Sequence, residues 1–89
     1  KALNPFLGES ELGRIAERGE KFAEALAHYE AASALKPDHA GLLVSGGRML
    51  AKLGRKEEAR ARFEAALKLA PDFAPARKGL EALAAAPAS

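Results

Sequence analysis

The sequence predicts an all-α fold of two consecutive helix–turn–helix units followed by a fifth helix. The first observation is a repeat. The stretch "AHYEAASALKPDHA", from Ala27 to Ala40, returns as "ARFEAALKLAPDFA", from Ala61 to Ala74. Tyr29 and Phe63, like Pro37 and Pro71, are separated by 34 positions. A fixed period of this length marks stacked supersecondary units. The second observation is that apolar residues recur at spacings of three and four, one face of a helix. The third is that no run of Val, Ile, Thr and aromatics alternates with period two, so no strand is predicted.

Each element follows in order. Asn4 and Pro5 form a helix start, as N-cap and first helical residue. Phe6, Leu12, Ile15 and Ala16 follow, and the run stops at Gly19. A second helix carries Phe22, Ala25, Leu26, Tyr29, Ala32 and Leu35. Lys36-Pro37 ends it, because the residue before a proline is pushed out of the helical region. Asp38 is the expected N-cap of a third helix with Leu42, Leu43, Met49, Leu50 and Leu53. Gly54 supplies its left-handed stop. Ala59, Phe63, Ala66, Leu67 and Ala70 mark a fourth helix closed by Pro71. Asp72 is the expected cap of the last helix, which runs to about Ala86, before Pro87. Short loops make sequential helices pack antiparallel.

Bulk composition narrows the function classes. The 89 residues form one small domain, 1–89. A chain of this size buries only about 60–65% of its unfolded surface, so its core is thin. At 48% hydrophobic and 29% charged, it is neither disordered by composition nor membrane-spanning. The absence of Cys excludes disulfides and thiolate metal sites but leaves the compartment open. A net charge of +2 is too small to argue for nucleic acid or membrane, and neither partner is predicted. The chain starts at Lys1 with no signal peptide and reads as a processed or excised piece of a longer protein.

The repeat carries a specific pattern. Gly47, Ala59, Phe63, Ala66 and Pro71 in the second unit match Gly13, Ala25, Tyr29, Ala32 and Pro37 in the first. With Leu12 and Gly54 in place, the chain resembles the tetratricopeptide repeat family, whose unit is a 34-residue helix–turn–helix. The resemblance covers residues 6–39 and 40–73 as full units, and 74–86 in the place of a C-terminal capping helix. It implies a right-handed α-solenoid. Gly13 and Gly47 are expected to let the helices of a unit approach closely, with Ala25 and Ala59 as small partners. Tyr29 and Phe63 are expected to fill the space between units. Two features depart from the family. The usual bulky aromatic early in the first helix is Glu9 or Leu43, and the usual Leu before the packing glycine is Leu12 in one unit but Gly46 in the other. Gly41, Gly46 and Gly47 should each weaken their helix by about 1 kcal/mol relative to Ala, and Gly46 has no packing reason visible in sequence. About three units are normally needed for stability. The chain is therefore unusually well capped, part of a longer array, or completed by a partner.

No reactive constellation emerges, and no enzyme, cofactor or metal site is predicted. His28 and His39 lack ligand spacing. By register His28 matches Arg62 and reads as exposed, while His39 matches Phe73 and reads as partly buried. Glu17–Lys21 and Glu58–Arg62 read as ion pairs along a solvated helical face.

The remaining candidate is a groove. In the resembled family the first helix of each unit lines a concave face that holds peptide. Carried over, that face presents Leu7, Ser10, Arg14, Glu17 and Arg18, then Val44, Arg48, Ala51 and Lys52, then Lys78. The family's two-carboxylate clamp would fall on Ser10, Arg14, Ser45, Pro75 and Gly79, none of which matches, so that specificity is rejected. Arg and Lys over an apolar floor predict an acidic peptide with apolar anchors. The alternative is self-assembly by repeat stacking or helix swapping, because Leu80 and Leu83 in the last helix have thin polar cover from Arg77, Lys78 and Glu81.

Overall fold

The computed structural model describes residues 5–85, with side chains from Gly8 onward. It contains five α-helices, α1 (Pro5–Arg18), α2 (Phe22–Leu35), α3 (Ala40–Lys52), α4 (Lys56–Leu69) and α5 (Ala74–Ala85). Asn4 and Ala86, the expected ends of the first and last helices, lie outside the described residues. Each helix packs on the next, and α3 also meets α5. The result is an all-α solenoid slab of 49 × 28 × 16 Å.

The turn inside each unit is the same device. After α1, the Glu20 amide donates to the Glu17 carbonyl (2.9 Å) and the Lys21 amide to Ala16 (2.9 Å). After α3, Gly54 donates to Ala51 (3.0 Å) and Arg55 to Leu50 (2.9 Å). Both are helix ends closed by a left-handed residue. In the second unit that residue is Gly54, φ 82°. In the first it is Glu20, φ 60°, rather than Gly19. Between units, Lys36 and Ala70 leave the helical region at φ −134° and −141°, each before a proline.

The expected aspartate caps are corrected. The turn after each proline takes one residue more than expected, so α3 and α5 begin at Ala40 and Ala74. The N-cap of α3 is therefore His39, whose Nδ1 accepts from the Leu42 amide at 3.3 Å. At α5 the Phe73 carbonyl accepts from the Ala76 (3.1 Å) and Arg77 (3.3 Å) amides. Asp38 and Asp72 are exposed in the turns. His39 is exposed too, and its partial burial is corrected, because a capping side chain points along the turn while Phe73 packs. His28 is corrected the other way. It is half-buried, with Nδ1 2.7 Å from Glu9 Oε1 of α1.

The core explains the glycines. Six of its thirteen residues are alanines, which lets the helices approach closely. Phe63, Met49 and Leu50 are its largest enclosed side chains. A methyl group at Gly13 would stand 2.7 Å from the Tyr29 ring, and one at Gly47 2.7 Å from the Phe63 ring. The groups above these glycines are thus the aromatics, not the fully buried Ala25 and Ala59. A methyl at Gly79 would lie 2.5 Å from Phe63, so that ring is held between α3 and α5 and fills the space between units. Gly46 has a packing reason after all. It seats Arg62, whose Nη1 would be 3.3 Å from an added methyl. From there Arg62 of α4 pairs with Glu30 of α2.

Candidate functional site

The 34-residue period brings the candidate residues to one side. Ser10, Arg14, Glu17 and Arg18 on α1 have the same spacing as Val44, Arg48, Ala51 and Lys52 on α3. Offsets of four, seven and eight lie on one helical face. Two hollows open there. The first, about 900 Å³, lies between α1 and α3 and is lined by Ser10, Arg14, Glu17, Arg18, Ser45 and Arg48. The second, about 560 Å³, lies between α3 and α5 and is lined by Val44, Ala51, Phe63, Lys52, Lys56 and Lys78 among others. Arg48 lines both.

The structure thus gathers Ser10, Arg14, Arg18 and Arg48 around one hollow and Val44, Arg48, Lys52 and Lys78 around the other. Val44 is not presented to solvent but is buried as floor. The side chain of Leu7 lies outside the described residues.

The electrostatics of the hollows differ. In the first, Glu17 is half-buried and shared. Tyr29 Oη donates to its Oε1 at 2.8 Å, and Arg48 pairs with its Oε2. Burial pushes the Glu17 carboxyl up, but the hydrogen bonds from Arg48 and Tyr29 and the Arg48 charge outweigh it and hold it below its ordinary value. Burial, reinforced by the Glu17 carboxylate, pushes the Tyr29 hydroxyl up to about 12. Arg14 pairs with Glu11, which lines the same hollow. Ser10 Oγ is enclosed and makes no hydrogen bond among the described residues.

Among the described residues, no acidic residue lines the second hollow. Lys52 Nζ stands 5.7 Å from the Phe22 ring centroid, a cation–π arrangement.

Two expected ion pairs are replaced. Glu17 pairs with Arg48 rather than Lys21, and Glu58 with Arg55 rather than Arg62. The Arg55 guanidinium makes two hydrogen bonds to Glu58 (2.7 and 2.9 Å) and lowers its pKa. Arg62 is free to reach Glu30 because Gly46 clears its path. Lys56 also lines the second hollow, although it lies outside the spacing shared by α1 and α3, since it opens the second helix of its unit and corresponds by register to Phe22. Its position just after the Gly54 turn was the available signal.

Among the described residues, no group of three or more His, Asp or Glu could hold a metal ion, and no helix is long and apolar enough to cross a membrane. A family model described as Tetratricopeptide repeat matches residues 18–85. No curated protein matches the chain.

Proposed function

The chain belongs to the tetratricopeptide repeat family, and from that premise we propose that it holds a peptide segment of acidic character along the face shared by α1, α3 and α5. Repeats of this family generally mediate protein–protein interaction and are non-enzymatic. The observation that carries the reading is the convergence of Arg14, Arg18, Arg48, Lys52 and Lys78 on two hollows joined at Arg48. Guanidinium groups suit carboxylates because they offer two parallel donors. The test is selection of binders from a displayed random-peptide library, followed by competition with an Arg14→Ser, Arg48→Ser variant. Selected peptides should be rich in Asp and Glu and should lose affinity for the variant. Binding unchanged in the variant contradicts the groove.

A second reading, self-assembly, is favoured by one observation on α1. Leu12 is 47% and Ile15 52% exposed, whereas their register partners Gly46 and Met49 are buried. The apolar excess therefore lies on the outer face of α1 rather than on α5, where Leu80 and Leu83 are half-buried. A helix from a second copy, packed as α2 packs on α3, is the occupant this face fits. Light scattering across a wide concentration range tests it: a mass that rises with concentration and reverts in Ile15→Lys supports assembly, and a constant monomer removes it.

A further inference from the structure

The two hollows are not equivalent, and the smaller is the better anchor. Its floor is Val44, Ala51, Phe63 and Leu83. An apolar side chain entering it leaves water without stranding a polar group of either partner. A volume of about 560 Å³ falls within the range of small ligand sites and suits one large side chain with its flanking backbone. Around that floor stand Arg48, Lys52, Lys56 and Lys78, with no carboxylate among the lining residues.

The larger hollow is partly neutralised from within. Arg14 is engaged by Glu11 and Arg48 by Glu17, and both acids line it. A ligand carboxylate arriving there meets two like charges, and of the three guanidinium groups only that of Arg18 is outside an ion pair among the described residues. At the smaller hollow, Lys56 and Lys78 form no ion pair among the described residues. A carboxylate there gains an attraction without breaking one.

We propose that the hollow between α3 and α5 is the anchoring subsite, taking one apolar side chain of a peptide whose neighbouring residues are Asp or Glu. This rests on the groove reading above. The cations of the rim are mainly lysines, whose ammonium groups are mobile point charges rather than rigid forks. The subsite therefore reads the number of flanking acids more than their order. Its attraction falls as salt rises, because the rim is exposed.

The experiment uses fluorescence anisotropy with labelled octapeptides. One has a Leu-Phe centre flanked on each side by two Asp or Glu. A second has the same centre flanked by Asn and Gln. A third keeps the acids around a Ser-Ser centre. The protein is compared as wild type, as Lys56→Gln with Lys78→Gln, and as Arg14→Gln with Arg18→Gln. Thermal melts check that each variant is folded. The first peptide should bind most tightly, weaken about tenfold in the lysine variant, and weaken by a smaller factor, about threefold, in the Arg14/Arg18 variant. It should also weaken with added salt. A loss confined to the Arg14/Arg18 variant overturns the anchoring assignment while leaving the groove reading standing. Equal binding of the first and second peptides overturns the charge requirement, and equal binding of the first and third overturns the apolar anchor. Binding of no peptide overturns both the subsite and the groove.

Discussion

Glu17 couples the two units through single side-chain contacts. It accepts from Tyr29 of its own unit and from Arg48 of the next. The sign of its effect on stability follows from its lowered pKa. Its contribution is present above the unfolded value of about 4.5 and is lost as pH falls through the lower folded value. Tyr29 acts at the other end. Its folded pKa is raised to about 12 from 10.0, so the stability it contributes is present below pH 10 and lost as pH rises toward 12. Tyr29 is the sole tyrosine in a chain without Trp, so ultraviolet titration reports it alone. The native midpoint should lie near 12, and Glu17→Gln should bring it down by removing the adjacent carboxylate. An unshifted wild-type midpoint contradicts the buried pair. Glu20 is the other informative residue. A non-glycine residue in the left-handed region is strained, and its counterpart Gly54 shows the relaxed solution. Glu20→Gly should raise stability by about 0.5–1 kcal/mol, read by urea denaturation.

At the scale of elements, one ring is the close contact between α3 and α5. Phe63 sits beneath Gly47 of α3 and Gly79 of α5. Alanine at position 79 would gain about 1 kcal/mol of helix propensity, but its methyl would stand 2.5 Å from the ring. Overpacking of this kind costs about 1–3 kcal/mol, so steric conflict wins and Gly79→Ala should destabilise by about 1 kcal/mol. Gly8 is the control, because beyond its own helix backbone and chain neighbours no atom of the described residues lies within 4 Å of its added methyl, and Gly8→Ala should stabilise by about 1 kcal/mol. Thermal or urea melts of the two variants should move in opposite directions. The helices themselves were legible in the sequence because glycine, proline and aromatic positions recur in register. The neighbours above each glycine were not, because register identifies equivalent positions and says nothing of what lies across the gap. The caps were misplaced by one residue because a proline turn can absorb an extra residue without changing its sequence signature. The ion pairs of Glu17 and Arg62 were invisible for a related reason. Glu17 and Arg48 are 31 residues apart on different helices, so no helical spacing connects them.

At the scale of the whole molecule, a net charge of +2 conceals an uneven distribution. The acids that pair with Arg and His are concentrated at α1, α2 and the start of α4, while among the described residues no acid lines the hollow between α3 and α5. The sequence made the basic side of the odd-numbered helices visible through the shared spacing on α1 and α3. It did not reveal that pairing with Glu11 and Glu17 leaves one hollow partly neutralised and the other charged, since the Glu17 pair depends on a contact between units. Composition alone therefore understates the capacity for a charged partner. The measurement that tests the account most directly is an NMR titration of the isotope-labelled chain with the acid-flanked Leu-Phe octapeptide. The account predicts that the perturbed amides cluster along α3 from Val44 to Lys52 and along α5 around Lys78 and Gly79, leaving the exposed Leu35 and Leu69 at the ends of α2 and α4 unchanged. Perturbations centred on Leu35 and Leu69, or none at saturating peptide, would contradict it.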